Sequence, residues 1–151
     1  MTLKNAINHF NRLVSETTKK SEIKVYQDFI HILTSLEKRN LTESEVQSIE
    51  AELDALDLIN GNPTNRKRHF NKAIQLFKKY LIDTFSLITK GYYTNLGIAL
   101  GSSLGLLFGI VFLSSLERSL GISLGISVGT LIGLIIASIL DSQAKASGNL
   151  I

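Results

Sequence analysis

Cysteine is absent from the 151 residues. That absence excludes a disulfide framework, a thiolate metal site, a cysteine nucleophile and a lipidated cysteine anchor. Also missing are a phosphate-cradling glycine loop followed by Lys and Ser or Thr, a zinc-protease histidine pair and a nucleophile elbow. His9, His31 and His69 stand in separate segments without metal-ligand spacing. The acidic run from Glu43 to Asp57 lacks the alternating oxygen ligands and glycine of a calcium loop, and is expected to be a solvated face. A non-enzymatic protein without cofactor or bound metal is expected. The first residues hold no continuous apolar core, so a cleavable signal is not expected. No segment sustains a period of two, which points away from strands.

Charge is missing from two long stretches, Gly91 to Leu116 and Ser119 to Leu140. Each is long enough to cross a hydrocarbon core, which needs about 20 residues. Each carries a dozen Leu, Ile, Val or Phe residues, worth roughly −0.3 to −0.6 kcal/mol apiece near the bilayer centre. Ser114 to Ser119, with Glu117 and Arg118, is too short for a domain and is expected to form the tip of an antiparallel helical hairpin.

Inside these stretches glycine recurs at every fourth residue, at Gly97, Gly101, Gly105 and Gly109, then at Gly121, Gly125, Gly129 and Gly133, with Ala137 next in phase. A glycine inside a helix costs about 1 kcal/mol relative to alanine, so the eight together cost on the order of 8 kcal/mol. Close packing of helix backbones in lipid offsets such a cost, because small residues let two main chains touch. The stripes are therefore expected to mark a helix-packing and oligomerisation surface. A step of four advances about 40° around the helix, which suits a right-handed crossing. Ser123, Ser127 and Thr130 fall roughly opposite the glycines of the second span, as candidates to line a pore. Against that, membrane hydroxyls commonly bond to their own helix carbonyls.

Lys72, Lys78, Lys79 and Lys90 precede the first span, whereas the tip holds only Arg118 and the tail only Lys145. The positive-inside rule then places both termini in the cytoplasm. Lys78, Lys79, Lys90, Tyr92 and Tyr93 are expected at the membrane interface, the two rings at headgroup level.

Ahead of the spans, apolar residues recur at helical spacing in four segments. Leu3, Ala6, Ile7, Phe10, Leu13 and Val14 form one stripe, and Ile23, Tyr26, Phe29, Ile30, Leu33 and Leu36 a second. Thr42 and Glu45 read as a capping box opening a third helix through Val46, Ile49, Leu53 and Leu56, ending near Asn60 and Gly61. Asn62 and Pro63 open a fourth, with Phe70, Ala73, Ile74, Phe77, Leu81, Phe85 and Ile88 inward. The acidic third helix is expected to pair antiparallel with the basic fourth. No proline separates the fourth helix from the first span, so one long helix is expected to join them. Arg66, Lys67, Arg68 and His69 neutralise phosphate whatever its source, but no aromatic platform or helix-turn-helix spacing accompanies them, which disfavours nucleic acid.

The expected architecture is all-α: a cytoplasmic bundle of about four amphipathic helices over residues 1–90, a transmembrane hairpin over 91–141 and a short polar tail over 142–151. On its two stripes, the last third resembles bacterial glycine-zipper membrane proteins. That resemblance implies self-association as a homo-oligomer and conduction, as in mechanosensitive channels with small-residue packing in their pore helices. Unlike a large-conductance mechanosensitive channel, this chain has its polar helices first and a very short tip; without cysteine it cannot be a lipoprotein of the glycine-zipper type. The expected function is a channel or membrane-permeabilising pore of the bacterial inner membrane, controlled by the helical domain. Alternatives are a membrane-anchored adaptor presenting a protein-interaction module, and a toxin-like protein that inserts conditionally. Expected partners are membrane lipids, further copies of the chain and a protein bound by the N-terminal helices.

Overall fold

The computed structural model describes residues 1–58, 66–112 and 118–151. Among them the chain is all-α. It forms α1 (Leu3–Glu16), α2 (Lys20–Glu37), α3 (Glu43–Ala55), α4 (Arg66–Phe85), α5 (Tyr92–Phe112) and α6 (Arg118–Ala146). Two compact units result, one of Met1–Leu87 with Ile151, the other of Ile88–Leu150.

In the first unit α1 and α3 start at side-chain caps. The Thr2 side chain accepts from the Asn5 amide and opens α1. Thr42 and Glu45 form the reciprocal capping box of α3, satisfying two amides that helix geometry leaves without partners. The i, i+3, i+4 spacing then turns Ala6, Phe10 and Leu13 to one side of α1, and all three are buried. They meet α2, which in turn packs on α4. The centre is aromatic: Phe10 stacks on Phe29 with centroids 4.4 Å apart, and Tyr26 stands edge-on to Phe70 at 5.2 Å. Phe77 closes the cluster beside Phe29.

Three features depart from the sequence-based picture. The third helix stops at Ala55, because Asp57 takes a left-handed conformation with φ of 46° and sends Leu58 into the core; aspartate is among the residues that tolerate this region. The Asn60–Gly61 ending and the Asn62–Pro63 opening lie outside the described residues. Secondly, acids of α3 turn toward the start of α1 rather than to the lysines of α4. The Leu3 amide donates to Glu50 Oε1 at 3.0 Å, and the Met1 amine pairs with Asp54. Contact with α4 comes instead from Ser48, whose hydroxyl lies 2.6 Å from that of Tyr80.

The third departure is larger. No single helix joins the fourth segment to the first apolar stretch: α4 ends at Phe85 and α5 begins at Tyr92. Ser86 (φ 54°) and Gly91 (φ 82°) both take left-handed backbone conformations that a helix cannot contain. The Ile88 amide donates sideways to the Asn149 carbonyl at 2.8 Å, in a short parallel bridge with Leu150.

In the second unit α5 and α6 pack side by side. Both are long and apolar enough to span a membrane, with mean hydropathy of 1.8 and 2.2. Only 17% of either apolar window is buried, which distinguishes them from core helices of a water-soluble domain. Helix α6 continues through Asp141 to Ala146, so part of the expected polar tail is helical.

Candidate functional site

The face between α5 and α6 is where the glycines lie. Gly97 faces Gly133, Gly101 faces Gly129, Gly105 faces Gly125 and Gly109 faces Gly121. Each step of four up one helix is matched by a step of four down the other, so the two stripes meet antiparallel and in register. Approach is at main-chain distance. A Cβ added to Gly129 would stand 2.6 Å from Gly105 Cα, and one on Gly125 would stand 2.7 Å from Gly109 Cα. A Cβ on Gly105 would collide with the Gly125 carbonyl oxygen, and the same collision recurs between Gly101 and Gly129. The hydrogens occupying those positions therefore point at carbonyls across the interface, a geometry in which Cα–H groups act as weak donors. Ala137, fully buried, extends the stripe, and its Cβ lies 2.9 Å from where a Cβ on Gly97 would be.

Hydroxyl groups flank this seam. Ser123 Oγ donates to the Leu120 carbonyl at 3.1 Å and Ser127 Oγ to the Ser123 carbonyl at 2.8 Å, and both residues are exposed. Thr130 behaves differently from its expected placement opposite the glycines. One residue past Gly129 it lies about 100° around the helix, on the flank of the seam, and its hydroxyl sits 3.0 Å from that of Ser102 on α5. Each of these two hydroxyls also lies within bonding distance of its own helix carbonyl, at Ile98 and Ile126. With one proton apiece, only one of them can donate across the seam at a time.

Three residues of this face were not singled out from sequence. Ser102 follows Gly101 as Thr130 follows Gly129, so the register of the stripes would have paired them. Thr94 Oγ1 donates to Asp141 Oδ2 at 3.1 Å at the open end of the hairpin. Asp141 is the next residue in the four-residue phase after Ala137, so continuing that phase by one step would have found it. Its other oxygen, Oδ1, is buried without a hydrogen-bond partner among the described residues.

The expected interface residues divide between the units. Lys78, half-buried, and Lys79, exposed, belong to α4 in the first unit. Lys90 is exposed just before α5, and Tyr92 and Tyr93 begin that helix with ring centroids 5.4 Å apart at 71°. The expected tip at Ser114–Glu117 lies outside the described residues. Away from the seam the hairpin is clothed in large apolar side chains: Leu104, Phe112, Leu131 and Ile135 are each more than half exposed.

No family model matches this chain, and neither a curated protein nor a solved structure gives a significant match.

Proposed function

We propose that the chain is an integral membrane protein in which α5 and α6 form a glycine-zipper anchor that displays the four-helix unit as a protein-interaction module. The observation that carries this reading is the seam itself: the stripes oppose each other within one chain, so the surface best suited to close helix association is already covered. What α5 and α6 leave outside is Leu, Ile, Val and Phe, the side chains that partition favourably into lipid. The lysines ahead of the first span support a cytoplasmic position for both termini. Resistance of membrane-bound protein to alkaline extraction, with a particle mass in nanodiscs equal to one chain, is the expected result. Release at alkaline pH would remove the anchor.

A second reading, a homo-oligomeric channel or pore resembling the bacterial glycine-zipper assemblies, is favoured by one observation. Ser123 and Ser127 present hydroxyls on the outside of α6 at a spacing of four, where another copy or a water path would meet them. On that reading the nanodisc particle contains several chains and reconstituted liposomes leak ions. Assembly without leakage would leave oligomerisation and remove conduction.

A further inference from the structure

Among the surfaces of the first unit one groove is predominantly basic. Lys19, just before α2, lines it together with Arg66, Lys67 and Arg68 at the start of α4, and Ser21 and Asn71 add polar groups. Three of its cations are consecutive at the start of α4, and the fold brings Lys19 beside them. The one carboxylate in the groove is already engaged: Glu22 is buried, accepts from Thr17 Oγ1 at 3.0 Å and pairs with Lys19 Nζ at 3.3 Å. Among the described residues Arg66, Lys67 and Arg68 have no carboxylate partner.

We propose that this groove binds the phosphate headgroup of an anionic phospholipid. Two guanidinium groups offer planar, paired donors to phosphate oxygens, and Lys19, already paired with Glu22, adds a weaker contribution from the start of α2. Single-stranded nucleic acid calls for aromatic faces on which bases stack, and among the described residues none lines the groove. The choice of lipid over free phosphate rests on the membrane reading above, which surrounds the protein with such headgroups.

The test uses the full chain in neutral detergent, with binding of phosphatidylglycerol and phosphatidylcholine counted by native mass spectrometry. Each basic residue near a phospholipid headgroup contributes about fivefold in affinity. Arg66→Gln/Arg68→Gln is expected to weaken phosphatidylglycerol binding roughly tenfold or more, and Lys19→Gln by a smaller factor, with phosphatidylcholine unaffected. Lys4→Gln/Lys38→Gln, which removes the same charge elsewhere, is expected to keep wild-type binding. An equal loss in that control, or no loss in either groove variant, overturns the proposal. Displacement of the lipid by millimolar inorganic phosphate assigns the groove to a soluble ligand, and displacement by a single-stranded oligonucleotide assigns it to nucleic acid; either result overturns the lipid assignment. Should the double variant fail to fold by circular dichroism, binding by Lys19→Gln alone decides between the outcomes. Because binding in micelles does not require a spanning hairpin, failure here is separable from failure of the alkaline-extraction test.

Discussion

Replacing Gly105 by leucine is expected to force α5 and α6 apart. A Cβ at this position meets the Gly125 carbonyl oxygen, and stands 3.0 Å from both the Gly125 carbonyl carbon and Gly129 Cα. All three are main-chain atoms of a helix, so no side chain can swing away to relieve the overlap. A residue other than glycine gains up to about 1 kcal/mol in helix propensity, while overpacking of a close contact costs typically 1–3 kcal/mol. Leucine belongs at or above the upper end, because a radial gap of about 0.5–1 Å forfeits a quarter to a half of the dispersion attraction along the rest of the stripe. A net loss of about 2 kcal/mol corresponds to more than tenfold in the equilibrium between packed and separated helices. The cysteine-free chain offers a direct assay. Ser102→Cys/Thr130→Cys replaces two hydroxyls 3.0 Å apart, and oxidation is expected to close a disulfide within one chain. Adding Gly105→Leu is expected to slow that closure at least tenfold, whereas Leu104→Ala, at an outward position, leaves it unchanged. Closure at the original rate in the Gly105→Leu background refutes the reasoning, and a predominantly two-chain product shows that the stripes pair between molecules.

Tyr26→Phe is expected to raise the melting temperature of the first unit, since the Tyr26 hydroxyl is buried without a partner among the described residues and such a group costs about 1–3 kcal/mol; a lower Tm would mean the hydroxyl is bonded. Thr94→Val removes the donor to Asp141 Oδ2 and is expected to loosen the open end of the hairpin by about 1–3 kcal/mol, seen as faster amide exchange near Thr94 and Asp141; unchanged exchange would show the bond idle. Burial, and then the Arg12 charge, lower the His9 pKa below its usual 6.5. The unfolded chain therefore takes up this proton first, and stability is expected to fall as pH drops below 6.5 toward the folded-state value. His9→Gln should flatten that slope in urea titrations, and an undiminished slope would assign it to other groups. Phe29→Ala, at the centre of the aromatic stack, is expected to cost about 3–5 kcal/mol by chemical denaturation.

The all-α class was legible because two periodicities dominate the chain. In α1 the apolar recurrence marked Leu3, Ala6, Phe10 and Leu13, which are buried, with Ile7 and Val14, which are half-buried; in α4 it marked Phe70, Ala73, Ile74, Phe77 and Leu81, which are buried, with Phe85, half-buried, and Ile88, which falls past the helix end. What failed to show in sequence were events governed by single backbone angles and by distant partners. Ser86 carries no preference for the left-handed region, yet it ends α4; the sideways bond from Ile88 to Asn149 depends on residues far apart in the chain. The partners of the α3 acids were likewise hidden: Glu50 and Asp54 bond to Leu3 and Met1 at the start of the chain, since exposed ion pairs contribute only about 0–1 kcal/mol and packing sets which charges come together.

The seam also limits which additional associations the hairpin can make. A glycine stripe serves one close neighbour, since main chains at contact distance leave no room for a third helix on the same line. With Gly101, Gly105 and Gly109 buried against α6, a second copy has to use a surface where Leu, Ile and Phe hold the backbones farther apart, or the narrower hydroxyl strip at Ser123 and Ser127. In lipid, association through bulky apolar faces has no hydrophobic driving force, because the acyl chains solvate those side chains equally well. The intrachain register thus weakens the case for glycine-driven oligomers and shifts any such assembly onto two serines. Ser123→Leu/Ser127→Leu would then abolish oligomers while preserving the Ser102→Cys/Thr130→Cys crosslink; persistence of oligomers in that variant would require the glycine seam to open and exchange partners.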